Sequence, residues 1–126
     1  MINNVSVLYV DDEDANLFLF DRTFSPLFKV LTAESGEDGL NVLEEHQNEI
    51  IVVITDMKMP GMNGIEFVRI ARQRFKNIAY YVLTAFNFNK EVETALEEKL
   101  IARSFTKPFD VKQIKAEVEK VAASLK

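Results

Sequence analysis

The stretch Ile50-Ile51-Val52-Val53-Ile54-Thr55, running into Asp56-Met57-Lys58-Met59-Pro60-Gly61-Met62-Asn63-Gly64, decides the fold. Its first part is rich in β-branched residues, which suit a pleated strand. It shows no polar alternation, so both faces are covered, as in a parallel sheet. A loop flanked by Gly61 and Gly64 follows, and Ile65 to Phe75 reads as a helix. The same alternation of short apolar run and amphipathic stretch extends outward in both directions. Before it lie a strand at Val5 to Val10, a helix at Glu13 to Phe24 ended near Pro26, and a strand at Phe28 to Thr32. Ser35 is an N-cap for a helix to about Glu45, with Glu37 and Asp38 at its positive end. After it come a strand at Ile78 to Leu83, a helix at Asn89 to Lys99 and a strand at Ile101 to Thr106. Asp110 caps a last helix, on which Val111, Ile114, Val118, Val121 and Leu125 form one apolar stripe.

Strands alternating with helices predict an α/β fold with right-handed crossovers: a five-stranded parallel sheet with helices on both faces. At this length the flavodoxin-like strand order 2-1-3-4-5 is expected. The 126 residues read as one domain spanning 1–126. With 15 basic and 20 acidic residues the net charge is −5, which argues against nucleic acid as a direct partner. There is no cysteine, hence no disulfide framework and no thiolate metal site. Met1-Ile2-Asn3-Asn4 has neither the basic nor the apolar region of a signal peptide, and no apolar run is long enough to span a bilayer. The expectation is a cytoplasmic protein with no membrane partner.

In open α/β sheets, ligands bind beyond the carboxyl ends of the strands. The first strand ends in Asp11-Asp12-Glu13, the third in Asp56, the fourth in Thr84-Ala85 and the fifth in Lys107-Pro108. The predicted topology brings these ends to one edge. Three carboxylates in one pocket raise each other's pKa unless a positive charge neutralises them. Magnesium prefers carboxylate oxygens, keeps waters and takes phosphate oxygens as ligands. An aspartate can accept a phosphoryl group as an acyl phosphate. Lys107 would pair with one phosphoryl oxygen and Thr84 would donate a hydrogen bond to another. Taken singly, each residue has a plainer reading. Asp11-Asp12 suits the first turn of a helix, Asp56 suits a turn, and Lys107 suits solvent. Their joint placement at separate strand ends favours a site.

These residues resemble the receiver domains of two-component response regulators, chemotaxis-type receivers included. The resemblance runs from about Val5 to the last helix. It is carried by Val10-Asp11-Asp12-Glu13, by the segment from Asp56 to Gly64, by Thr84-Ala85 and by Lys107-Pro108-Phe109. It implies that Asp56 is the phosphoacceptor. It implies that Asp12 and Asp56 bind Mg2+ directly, that Asp11 helps through water, and that the backbone carbonyl of Lys58 completes the protein ligands. Thr84 and Ala85 would form the phosphoryl-sensing switch, Lys107 would bind a phosphoryl oxygen, and Lys107-Pro108 would be a cis peptide. Gly64 would permit close approach into the third helix.

The implied partners are a histidine kinase or phosphotransfer protein upstream and an effector or fused output domain downstream. A kinase's phosphotransfer bundle would dock near the first helix. A phosphorylation-linked homodimer through the fourth and fifth helices is compatible with the sequence. The chain would be a signalling phosphoacceptor and not an enzyme in its own right.

Two positions depart from the family pattern. Ser104 stands where Tyr or Phe is usual, with Phe105 one place later and expected to face the core. Either Phe86 or Tyr81 is expected to stand in, or the output surface differs. Leu100 stands where glycine is frequent, which puts the end of the fourth helix in question.

Of the other residues, His46 reads as a solvated helix-terminus residue. Phe18, Phe20 and Phe24 read mostly as core, with any left exposed forming a partner surface. A dehalogenase-type aspartyl phosphatase would need an acidic residue two places past Asp56, where Lys58 stands. A flavodoxin-type carrier would need a hydroxyl-rich phosphate loop where Asp11-Asp12-Glu13 stands. A degenerate receiver acting only as a binding module is the remaining alternative, and the filled site positions count against it.

Overall fold

The computed structural model describes residues 5–85 and 89–125. Strands and helices alternate: β1 (Ser6–Val10), α1 (Asp14–Phe24), β2 (Lys29–Ala33), α2 (Gly36–His46), β3 (Ile50–Asp56), α3 (Gly64–Arg74), β4 (Ala79–Thr84), α4 (Lys90–Glu97), β5 (Arg103–Thr106) and α5 (Val111–Ser124). The strands form one sheet in the order β2-β1-β3-β4-β5. Every pairing is parallel. The flavodoxin-like order expected from the sequence is therefore the observed one.

Every residue of β3 is buried, which follows from its place at the centre of the sheet with helices on each face. On one side Leu8, Val53 and Val82 pack with Leu43 of α2, Phe67 and Val68 of α3, and Val92 of α4. On the other, Val7, Ile54 and Leu83 pack with Phe20 and Phe24 of α1 and with Ile114 and Val118 of α5. The chemistry of the edge is thus held between two cores, and its strand ends have little freedom.

Local side-chain caps set four of the five helix starts. The Ser35 hydroxyl caps α2 by accepting from the Asp38 N–H. Asn63 and Glu66 form a capping box at α3. Asn89 and Asp110 cap α4 and α5.

The structure corrects the sequence reading in two places. The α4 helix stops at Glu97 rather than Lys99, and β5 starts at Arg103 rather than Ile101. The cause is a Schellman closure. The Lys99 N–H donates to the Leu96 carbonyl and the Leu100 N–H to the Ala95 carbonyl. The left-handed residue is Lys99, at φ 60°, so the turn uses a lysine where glycine is ordinarily favoured. The α5 stripe is also narrower than its spacing suggests. Ile114 and Val118 are fully buried, whereas Val111 and Leu125 are exposed.

Candidate functional site

At the carboxyl edge the backbone ladder runs slightly past the strands. The Asp11 N–H donates to the Ala33 carbonyl, the Met57 N–H to Leu83, and the Lys107 N–H to Thr84. These bonds fix the residues that follow β1, β3 and β5. Each of Asp11, Asp12 and Asp56 offers a carboxylate oxygen, and the three oxygens lie within 4.8 Å of one another. Asp11 and Asp56 are buried and Asp12 is exposed. The Lys107 Nζ reaches Asp56 Oδ1 at 2.8 Å. Thr84 is buried at the end of β4, one residue past Leu83, which pairs with Asp56. Ala85 follows it and is exposed. Lys58 stands two residues past Asp56 with an exposed side chain. The Lys107-Pro108 peptide is cis. The edge therefore gathers the polar residues that the sequence placed there.

Electrostatics within the cluster are uneven. Burial raises the Asp56 pKa, and the Lys107 ammonium beside it only partly counteracts this, with Asp11 raising it further. Burial pulls the Lys107 ammonium down, but Asp56, Asp11 and Glu13 outweigh that and leave its pKa raised. The Lys107 ammonium thus meets a cluster rich in carboxylate oxygens. Such a hard oxygen cluster could hold a divalent cation of the magnesium or calcium kind.

Sequence reasoning missed the residues that hold Asp11. Its Oδ2 accepts from the Tyr9 hydroxyl at 2.7 Å and from the Asn16 amide at 3.1 Å. Its Oδ1 accepts from the Glu13 N–H at 3.0 Å. Burial first, and then Asp11, push the Tyr9 hydroxyl well above its ordinary pKa, so it stays a donor. Alternation along β1 was the available signal, since Tyr9 and Asp11 are two apart and share a face. No comparable cue marked Asn16, on the first turn of α1.

Gly64 determines how closely α3 approaches the site. Its N–H donates to the Met57 carbonyl at 2.9 Å. A Cβ there would run into the Asp56 carbonyl oxygen and lie 3.1 Å from the Met57 Cα. Beside the cluster, a cavity of about 330 Å³ is lined by Tyr9, Asn16, Leu19, Lys107 and Phe109 among others. On the neighbouring surface of α1, Phe18 and Leu19 are 62% and 55% exposed, while Phe20 and Phe24 are buried in the core.

Phe105 is buried and stacks on Tyr81 at 5.3 Å, as its place in the strand predicts. Ser104 is half-buried and pairs with Val82, whereas Tyr81 pairs with Arg103. Tyr81 therefore faces the opposite side of the sheet from Ser104. Its hydroxyl is held by Glu117 at 3.0 Å. Tyr81 cannot stand in on the face of Ser104, and Phe86 lies outside the described residues. His46 ends α2 and lies 3.5 Å from Glu49, as a helix-terminus residue would.

A parallel 2-1-3-4-5 sheet with an acid cluster and a lysine at its carboxyl edge is the architecture of a receiver. The family model described as the response regulator receiver domain matches residues 7–119. The chain belongs to that family. It is 34% identical over 127 residues to the probable chemotaxis protein CheY of Rhizobium etli, covering 97% of this chain and 95% of that one. It is 28% identical to sporulation initiation phosphotransferase F of Bacillus subtilis, covering 93% of each. The hydrogenase transcriptional regulatory protein HoxA of Cupriavidus necator is 29% identical over 82% of this chain, which spans only 21% of that protein's length. Among solved structures, one described as adenylate cyclase from Rhodopirellula baltica superposes with a TM-score of 0.87 at 32% identity, over 95% of this chain and 88% of that one. A response regulator receiver domain protein from Clostridium thermocellum gives 0.84 at 26%, over 95% of each. Among the described residues, no helix is long and apolar enough to cross a membrane.

Proposed function

We propose that this chain is a phosphoacceptor switch that receives a phosphoryl group from a phosphohistidine on Asp56. A carboxylate oxygen of Asp56 attacks phosphorus, the phosphorus–nitrogen bond breaks, and the imidazole leaves with the electron pair. The product is an acyl phosphate. The observation that carries this reading is the Lys107 ammonium, 2.8 Å from Asp56 Oδ1 in a pocket with two further carboxylates. Asp11, Asp12 and Asp56, with the Lys58 carbonyl, are the residues that would hold Mg2+. Bound there, it would neutralise charge developing on the transferring group. Lys107 passes from the Asp56 carboxylate to a phosphoryl oxygen, and the Thr84 hydroxyl donates to another, drawing Ala85 with it. Those contacts exist only in the phosphorylated state, so they shift the conformational equilibrium.

The upstream partner is a histidine kinase or phosphotransfer protein, and exposed Phe18 and Leu19 beside the pocket offer it an apolar contact. The downstream partner is an effector or a fused output domain. The protein acts in the cytoplasm, and residues 1–126 form one receiver domain.

The test is incubation with a small phosphodonor such as acetyl phosphate, with and without Mg2+, followed by intact mass. The expected result is one hydroxylamine-labile adduct that requires Mg2+ and is absent from Asp56→Asn. Persistence of the adduct in Asp56→Asn would refute the assignment.

A further inference from the structure

Asp11 is fully buried, and this chain engages its carboxylate three times over. A carboxylate offers about four lone-pair sites, two on each oxygen. Tyr9 and Asn16 occupy both sites on Oδ2, and the Glu13 N–H occupies one on Oδ1. Among the described residues these three bonds leave a single site for a cation or for its water. The two side-chain donors are themselves anchored. The Tyr9 ring stacks on Phe20 at 4.2 Å and 8°, and Asn16 is fixed on the first turn of α1.

This matters for the choice of cation. Calcium takes 6–8 oxygens and readily uses a carboxylate through both of its oxygens. Magnesium is smaller, keeps several waters, and is held by one or two carboxylates. Three clustered carboxylates free to turn would suit calcium. A buried carboxylate limited to one contact does not.

We propose that Tyr9 and Asn16 are specificity-determining positioning residues that hold Asp11 to a single contact and so turn the pocket toward Mg2+ and away from Ca2+. The proposal rests on the reading of this pocket as a divalent-cation site. Tyr9→Phe removes the hydroxyl, keeps the stack on Phe20 and frees one site on Oδ2. Asn16→Leu frees the other, at a half-buried position.

The experiment is isothermal titration of the full chain and each variant with MgCl2 and, separately, with CaCl2. Thermal midpoints serve as a fold control. The expected result is a Ca2+ affinity, relative to Mg2+, that rises about tenfold in Tyr9→Phe and moves the same way in Asn16→Leu. A purely structural role for Tyr9 would weaken both ions together and leave their ratio alone. An unchanged ratio in both variants overturns the positioning role while the cation site stands. A wild-type chain that binds neither ion overturns the site and the positioning role with it.

Discussion

Replacing Gly64 with alanine should destabilise this protein far more than a helix N-terminal Gly→Ala change normally would. At most first-turn positions the added methyl meets solvent and improves helix propensity. Here it meets the Asp56 carbonyl oxygen, with the Met57 Cα at 3.1 Å. Both obstacles are backbone, so no rotamer relieves them, and α3 must draw back from the strand end. Forcing a methyl into a packed site costs about 1–3 kcal/mol. Withdrawal also stretches the bond from the Gly64 N–H to the Met57 carbonyl, worth about 1 kcal/mol more. The expected loss is about 2–4 kcal/mol. Unfolding entropy near 2.1 cal/mol/K per residue converts this to a drop of about 8–15 °C in Tm. Thermal unfolding followed by far-ultraviolet circular dichroism reads it directly, with urea titration as a second measure. A midpoint indistinguishable from wild type would refute the close approach and its role in fixing the Asp56 segment.

Lys99→Gly should stabilise the chain by about 0.5–1 kcal/mol, because a left-handed L-residue costs about 1–2 kcal/mol and the gain is partly offset by glycine's larger unfolded-state entropy. Urea titration checks it, and a loss of stability would show that the lysine side chain contributes more than its backbone costs. Glu49 accepts from Ser6 at 2.6 Å and pairs with Lys29 at 2.8 Å, tying β1 to β2, and its carboxyl pKa is lowered to about 2, by Lys29 first and then Ser6. A depressed folded-state pKa means stability that is present above the ordinary carboxyl range and lost as pH falls toward about 2. Wild type should therefore exceed Glu49→Gln in Tm at neutral pH, with the gap closing in acid; a gap that widens in acid would reverse the assignment.

How much of this was legible from residue order depends on the range of each interaction. Unbroken apolarity at Ile50 to Thr55 pointed to a doubly covered parallel strand, because a strand without polar alternation is covered on both faces, as parallel sheets are. Local caps at Ser35 and Asp110 marked helix starts, since capping is satisfied within one turn. The acid cluster was legible too, because the carboxyl ends of parallel strands share one edge whatever their loops do. Other features were invisible because they depend on non-local contacts. Nothing local announces that Lys99 will be left-handed, as the turn is chosen by the need to bring Ile101 back into the core. Exposure of Val111 and Leu125, at the two ends of α5, depends on which turns of the helix meet the sheet, a relation between elements.

The sequence by itself determined the alternating layers and the identity of the charged groups at the edge, because periodicity and strand ends are properties of chain order, while the strand order was an expectation from length that the structure bore out. Only the tertiary structure decided which groups touch: Lys107 on Asp56, Tyr9 and Asn16 on Asp11, and Tyr81 turned away from the face of Ser104. The physical reason is that hydrogen bonds and ion pairs act over about 3 Å. Positions that short are set by how the two cores pack against the sheet.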